Sequence, residues 1–237
     1  MKVLITEPFP DAALAIFASA QIAVDVPTVA LKGEELERII LAYDAVIVGG
    51  STTATREIIE KGTRLKVIGR ADVELSNIDV NAATERGIVV MNTPQAFGPV
   101  AEAQDKAAIE VARQVVDFFQ KGVVRNSVNV PSVSLDVIRR IAPYLNLSER
   151  LGSFAARITD FPIREILIRF NGEISRMETD ILTNGIIKGV LQGWVEDVNY
   201  VNASALAKNR GVEVQAQSAG DGGDFASLLV VTVKGEA

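Results

Sequence analysis

The chain has 237 residues, 48% of them hydrophobic but only 5% aromatic, and a net charge of −6. That is room for two aliphatic cores. The charge leaves no basic footprint for nucleic acid, since the longest basic run is Arg139–Arg140. There is no cysteine and no histidine, so disulfides, thiol catalysis, Cys- or His-built metal sites and the usual neutral-pH proton carrier are all excluded.

From Lys2 to Gly122 short aliphatic runs alternate with amphipathic stretches. "KVLIT", "IAVDV", "DAVIVGG", "LKVIGRA" and "GIVVMN" read as strands; "DAALAIFASA", "GEELERIILAY", "TREIIEKG" and "VNAATERG" read as the helices between them. A fifth helix is marked by Ala107, Ala108, Val111, Ala112, Val115, Val116 and Phe119 at three- and four-residue spacing, with Gly122 as its stop. Five strands and five helices in alternation predict an α/β unit, a flavodoxin-like doubly wound parallel sheet. After "RNSVNVPSVS" the texture becomes α+β. Two helices, "SLDVIRRIAPYL" and "LSERLGSFAARI", precede a strand "REILIRF", a helix in "DILTNGIIKGVLQGW", a helix "ASALAKNRG" and two strands, "VEVQAQ" and "SLLVVTV". "SAGDGGDFA" between the last two reads as a mobile loop or a hairpin connection. The domain boundary is placed at 126/127, within a transition spanning 123–130. No apolar run approaches the ~20 residues of a membrane span, and "MKVLITEPFP" lacks a signal peptide's apolar stretch, so a cytoplasmic protein is expected.

Ligands of an open parallel sheet bind beyond the C-terminal strand ends. "EPFP", "GGSTT" (Gly49 to Thr53), "RADVELS" and "NTPQAF" converge there. "GGSTT" could offer amides and hydroxyls, those of Ser51 and Thr52 among them, to an anion at a helix N-terminus; alternatively Thr55 or a neighbour simply caps that helix. Arg70 could hold a carboxylate bidentately, or pair with Asp72 and Glu74. "GDGGD" lacks the preceding strand and following helix of a phosphate loop, and GxGxxG occurs nowhere.

The stretch from "YDAVIVGGSTT" through "LKVIGRADVELSNIDVNAATERGIVVMNTP" closely resembles the substrate-binding domain of the D-3-phosphoglycerate dehydrogenases, within the D-2-hydroxyacid dehydrogenase family. "AEAQDKAAIEVARQVVDFFQKG", "YLNLSERLGSFAARI" and "VNYVNASALAKNRGVEV" extend the resemblance to the long form of that enzyme, including most of its allosteric substrate-binding domain. The resemblance implies a nucleotide-binding domain inserted after a segment like "NTP". Here "NTPQAFGPVAEAQ" joins the two ends directly, so neither a bound NAD nor the catalytic arginine and glutamate of that domain is expected. Gln95 falls where the family places its catalytic histidine, and an amide is no general base at neutral pH. Against the family's "RAGVGxDNID", Asp72 and Glu74 replace glycines around Val73, Ser76 replaces an aspartate, Gly49 stands where an arginine is usual, and only Arg70 is kept. Carboxylates repel an anionic substrate, so the expectation is an erased anion site, with neither catalytic residue, cofactor nor metal.

For the second half the resemblance implies effector binding and subunit association, and it directs attention to Lys188, Asn202, Lys208 and Arg210. Lys208 and Arg210 could equally complement the C-terminus of their helix. The expected second domain is short of its last strands, which leaves a sheet edge open to pairing. The overall expectation is a non-catalytic, homo-oligomeric relative of the dehydrogenase, a binding, regulatory or oligomerisation module for a small anion or for full-length dehydrogenase subunits. The alternative is one half of a split D-3-phosphoglycerate dehydrogenase, an NAD-dependent oxidoreductase of serine biosynthesis, needing a separate nucleotide-binding subunit.

Overall fold

The computed structural model describes residues 1–93, 100–131 and 135–235. The chain divides into two compact units, Met1–Leu135 and Asp136–Ala237.

The first unit is the predicted doubly wound sheet. β1 (Lys2–Ile5), β2 (Ala23–Asp25), β3 (Ala45–Val48), β4 (Val67–Arg70) and β5 (Val89–Asn92) lie in the order β2-β1-β3-β4-β5, all parallel. Every residue of β3, β4 and β5 is buried, which explains why these strands read as unbroken aliphatic runs rather than as alternation: both faces are covered. The helices α1 (Asp11–Ser19), α2 (Gly33–Ile39), α3 (Arg56–Lys61), α4 (Val80–Glu85) and α5 (Val100–Lys121) supply that cover. On one face Leu36, Ile58, Ile59 and Ala82 pack onto Leu4, Val46, Val48, Ile68 and Val90. Each aliphatic side chain fully withdrawn from water here contributes ~1.5–3 kcal/mol. The Asp79 carboxylate caps α4 by accepting from the Ala82 amide at 2.8 Å.

The second unit departs from expectation twice. The two helices read from the sequence are one, α6 (Leu135–Arg157), which carries Pro143 in its interior. Proline removes one backbone donor and crowds the preceding turn, but here the apolar face on either side of it keeps the helix continuous. Second, β7 (Glu213–Ala219) and β8 (Ser227–Lys234) do not form a hairpin. The three-stranded sheet has the order β7-β6-β8, with β6 (Glu165–Gly172) in the middle, parallel to β7 and antiparallel to β8. The "GDGGD" segment therefore crosses over the end of β6, at Gly172. That residue has φ +75°, and a Cβ added to it would lie 2.3 Å from the Ala226 carbonyl oxygen. One face of the sheet packs Ile166, Ile168, Phe170, Leu229, Val231 and Val233 against α7 (Thr179–Leu191) and α8 (Ala203–Asn209).

α6 and α7 meet at backbone distance. A Cβ on Gly152 would sit 2.1 Å from the Ile186 carbonyl oxygen, and one on Gly189 2.1 Å from that of Glu149. The Gly185-x-x-x-Gly189 spacing of α7 is the sequence signal for this contact.

Candidate functional site

The C-terminal ends of β1, β3 and β4 bring Glu7, the Gly49–Thr52 turn and the Arg70–Ser76 loop together. Arg70, the last residue of β4, is only 9% exposed. A buried guanidinium needs acceptors on all sides, and it has them within the protein. Nε donates to the Glu74 carbonyl at 3.2 Å, Nη1 to the Val48 carbonyl at 3.2 Å, and Nη2 to the Asp72 carboxylate at 3.1 Å. Of the two acidic residues, Asp72 alone pairs with Arg70 through its side chain; Glu74 contributes its backbone oxygen and its carboxylate lies on the exposed surface.

The loop amides are occupied in the same way. Asp72 Oδ1 accepts from Val73 N at 2.7 Å and from Glu74 N at 3.4 Å. Across the crevice Gly50 N donates to Glu7 Oε1, and Gly49 N to the Thr6 hydroxyl at 2.9 Å. Glu7 lies where a side chain at position 49 would go: a Cβ on Gly49 would come 1.4 Å from Glu7 Oε1. A side chain at position 49 and Glu7 in this place therefore exclude one another. The Glu7 and Asp72 carboxylates thus accept from the donors of the crevice, and with Glu74 they outnumber its single guanidinium.

The surrounding frame is polar and well paired. Asn77 Nδ2 donates to the carbonyls of Gly49 and Thr52, at 2.8 and 2.6 Å, and Asn92 Nδ2 to that of Val73 at 3.1 Å. Thr52, buried, donates its hydroxyl to the Leu31 carbonyl at 2.8 Å. Thr55 stands at the N-cap of α3 without making a side-chain cap bond, and its hydrogen bond to Glu57 lowers that carboxyl below its ordinary value. Ser51, Val73 and Ser76 are exposed around the crevice. Gln95 lies outside the described residues. Sequence reasoning missed Glu7, Asn77 and Asn92; the "EPFP" segment was placed at the crevice, but nothing local singles out its glutamate as the partner of an amide 43 residues away.

In the second unit Lys188 donates to Glu149 Oε1 at 2.6 Å, and its ammonium lies 4.6 Å from the centre of the Tyr200 ring, whose hydroxyl donates to Glu149 Oε2 at 2.6 Å. Burial raises the Tyr200 phenol well above its ordinary value, and the Glu149 bond adds to that. Burial alone would raise the Glu149 carboxyl; the bonds from Lys188 and Tyr200 outweigh it and hold the group below the ordinary range. Asn202 is buried and structural: Oδ1 accepts from Asn199 N at 2.7 Å, and Nδ2 donates to the Asp197 carbonyl at 3.1 Å. Lys208 and Arg210 sit exposed at the last turn and C-cap of α8. The four effector candidates therefore divide between a strut, a turn and a helix end. A groove of about 370 Å³ runs instead along α6, lined by Glu149, Arg150, Ser153, Phe154, Arg157 and Gln192. The three- and four-residue spacing of the α6 members was the available signal.

Among the described residues no cluster of acidic side chains is disposed to hold a metal ion, and no helix is long and apolar enough to cross a membrane. β5 ends at Asn92 and α5 begins at Val100, so no nucleotide-binding domain stands between them, and the Gly-rich phosphate fingerprint is absent from the sequence.

This fold, a parallel five-stranded sheet with its polar crevice beyond the strand ends, followed by a small mixed sheet, defines the class. Residues 3–129 match the D-isomer specific 2-hydroxyacid dehydrogenase catalytic domain, and the chain belongs to that family. Residues 140–237 match the D-3-phosphoglycerate dehydrogenase intervening domain. The D-3-phosphoglycerate dehydrogenase of Bacillus subtilis is 26% identical over 76% of this chain and 36% of its own length. That of Methanocaldococcus jannaschii is 43% identical over 54% of this chain and 25% of its own. The match to each relative thus spans only about a quarter to a third of it. The NAD+-bound 3-phosphoglycerate dehydrogenase of Entamoeba histolytica superposes over 92% of this chain and 53% of its own, at 18% identity and a TM-score of 0.37.

Proposed function

We propose that this chain is a non-catalytic member of its family, a binding or oligomerisation module related to D-3-phosphoglycerate dehydrogenase, working in the cytoplasm without a nicotinamide cofactor and assembling with copies of itself. The observation that carries the reading is the self-filled crevice: every donor of Arg70 that hydrogen-bonds, and the amides of Gly50, Val73 and Glu74, reach acceptors of the protein, two of them carboxylates in the place of a substrate anion. An incoming phosphorylated acid has to displace Glu7 and Asp72 and then face their charge.

The test is a thermal melt of the protein with 3-phosphoglycerate, inorganic phosphate, L-serine and NADH supplied separately. A ligand present at ~100-fold over its dissociation constant adds about 2.7 kcal/mol, a readily seen rise in Tm. The expected result is no rise with NADH or 3-phosphoglycerate. A rise with NADH overturns the reading in favour of a dehydrogenase half that accepts a nucleotide; a rise with 3-phosphoglycerate or phosphate alone makes the crevice a surviving anion sensor.

A further inference from the structure

The groove along α6 carries charge that the protein leaves unbalanced. Arg150 and Arg157 both line it from one face of the helix, since seven residues make two turns, ~10 Å along the axis. Both are exposed, and among the described residues neither makes a hydrogen bond or an ion pair. The one carboxylate in the groove wall, that of Glu149, does not compensate them. Its Oε1 accepts from Lys188 of α7 and its Oε2 from Tyr200, each at 2.6 Å, so both oxygens are engaged from the α7 side. Glu149 adjoins Arg150 in sequence, but neighbours on a helix do not face each other. With Lys188 cancelling Glu149, the groove keeps two positive charges in excess.

Phe154 decides what shape of anion fits. It lines the groove between the two arginines, four residues after one and three before the other, and is 59% exposed. A compact ion held midway between them would rest on this ring and lose water without gaining a donor. An elongated ion avoids that cost. A charge at each end meets a guanidinium fork, which matches carboxylate and phosphate groups bidentately, and an apolar middle covers the ring. Asn146 and Gln192, both exposed in the groove wall, add amide donors. The volume of about 370 Å³ suits a small molecule.

We propose that this groove binds a rod-shaped organic dianion, with a carboxylate or phosphate at each end held by Arg150 and Arg157 and an apolar middle lying on Phe154. This rests on the binding-module reading above and gives it a site in the second unit rather than in the crevice of the first. Lys188 has a positioning role here. By holding the Glu149 carboxylate, it keeps a negative charge from opposing the ligand.

Calorimetric titration of the full chain with nonanedioate, and separately with an alkane bisphosphonate of the same chain length, tests this. The expected result is saturable binding at millimolar concentration or below, the tighter probe naming the end group. Nonanoate, which has one charge, and butanedioate, which is too short to span the arginines, are expected to bind about tenfold more weakly or worse. Arg150→Gln and Arg157→Gln are each expected to weaken the tighter probe about tenfold or more. Lys208→Gln, which removes an exposed cation in the last turn of α8, is expected to leave it unchanged. Should an arginine variant fail to fold, the comparison of nonanedioate with nonanoate and butanedioate on the unaltered chain decides by itself. Equal binding of the three overturns the two-ended site, and indifference to both arginine variants overturns the groove. If inorganic phosphate then competes for that binding, the crevice is the site and the self-filled reading falls with it. No binding of either dianion overturns this site alone and leaves the non-catalytic reading standing.

Discussion

At Arg70 the chain holds a cation under a crevice and then spends it internally. Asp72 is about half exposed, so its ion pair with Arg70 contributes about 1 kcal/mol or less; its effect lies in occupying the donors rather than in stabilising the fold. Replacing it tests that distinction. Asp72→Gly with Glu7→Ala removes the side-chain acceptors from Arg70 Nη2 and from the amides of Gly50, Val73 and Glu74, and is expected to create a phosphate-dependent rise in Tm that the unaltered chain lacks, at little cost to the Tm without ligand. Position 72 was legible in the sequence because it broke a pattern of glycines. Glu7 was not, because its meaning is set by a hydrogen bond to Gly50 across the sheet and by the missing side chain at Gly49.

The elements whose core faces recur at a fixed period were readable directly: β3, β4 and β5 as aliphatic runs, α5 through its three- and four-residue spacing. The misreadings fell where a local breaker was overridden by packing. "SLDVIRRIAPYL" and "LSERLGSFAARI" were read as two helices, yet α6 runs on between them, and its apolar face reaches from Ile141 to Ala155, both buried. "GDGGD" suggested a turn between neighbours, but the strand it skirts lies more than 40 residues upstream, a separation no local pattern records. The α6–α7 contact gives a sharp test. Gly189→Val drives a side chain into the Glu149 carbonyl and is expected to cost ~3 kcal/mol, seen as a lower midpoint in urea. Gly193→Ala, just past the end of α7 in open space, is expected to change the midpoint by less than about 1 kcal/mol.

For the molecule as a whole, the excess of acid over base sets the response to pH. Asp44 accepts from the Lys2 amide at 2.8 Å and from Arg64 at 3.0 Å; burial opposes these bonds, yet its carboxyl stays below the ordinary value, as does that of Glu149 in the second unit. A depressed carboxyl contributes stability that is complete above its unfolded pKa and is lost as pH falls through its folded one. Both units are therefore expected to hold their stability down to the ordinary carboxylate range and to lose it below, which a urea midpoint measured from neutral pH to pH 3 checks. The order β7-β6-β8 reaches further, into the time course of folding. β6 and β7, joined through α7 and α8, can form their parallel ladder before β8 exists, and β8 must then find a strand made more than 50 residues earlier. Until it arrives, one side of β6 is an open template in the nascent chain, so the interval between synthesis of Gly172 and of Lys234 is the period in which this protein is most exposed to capture by a chaperone or by a neighbour on the same messenger.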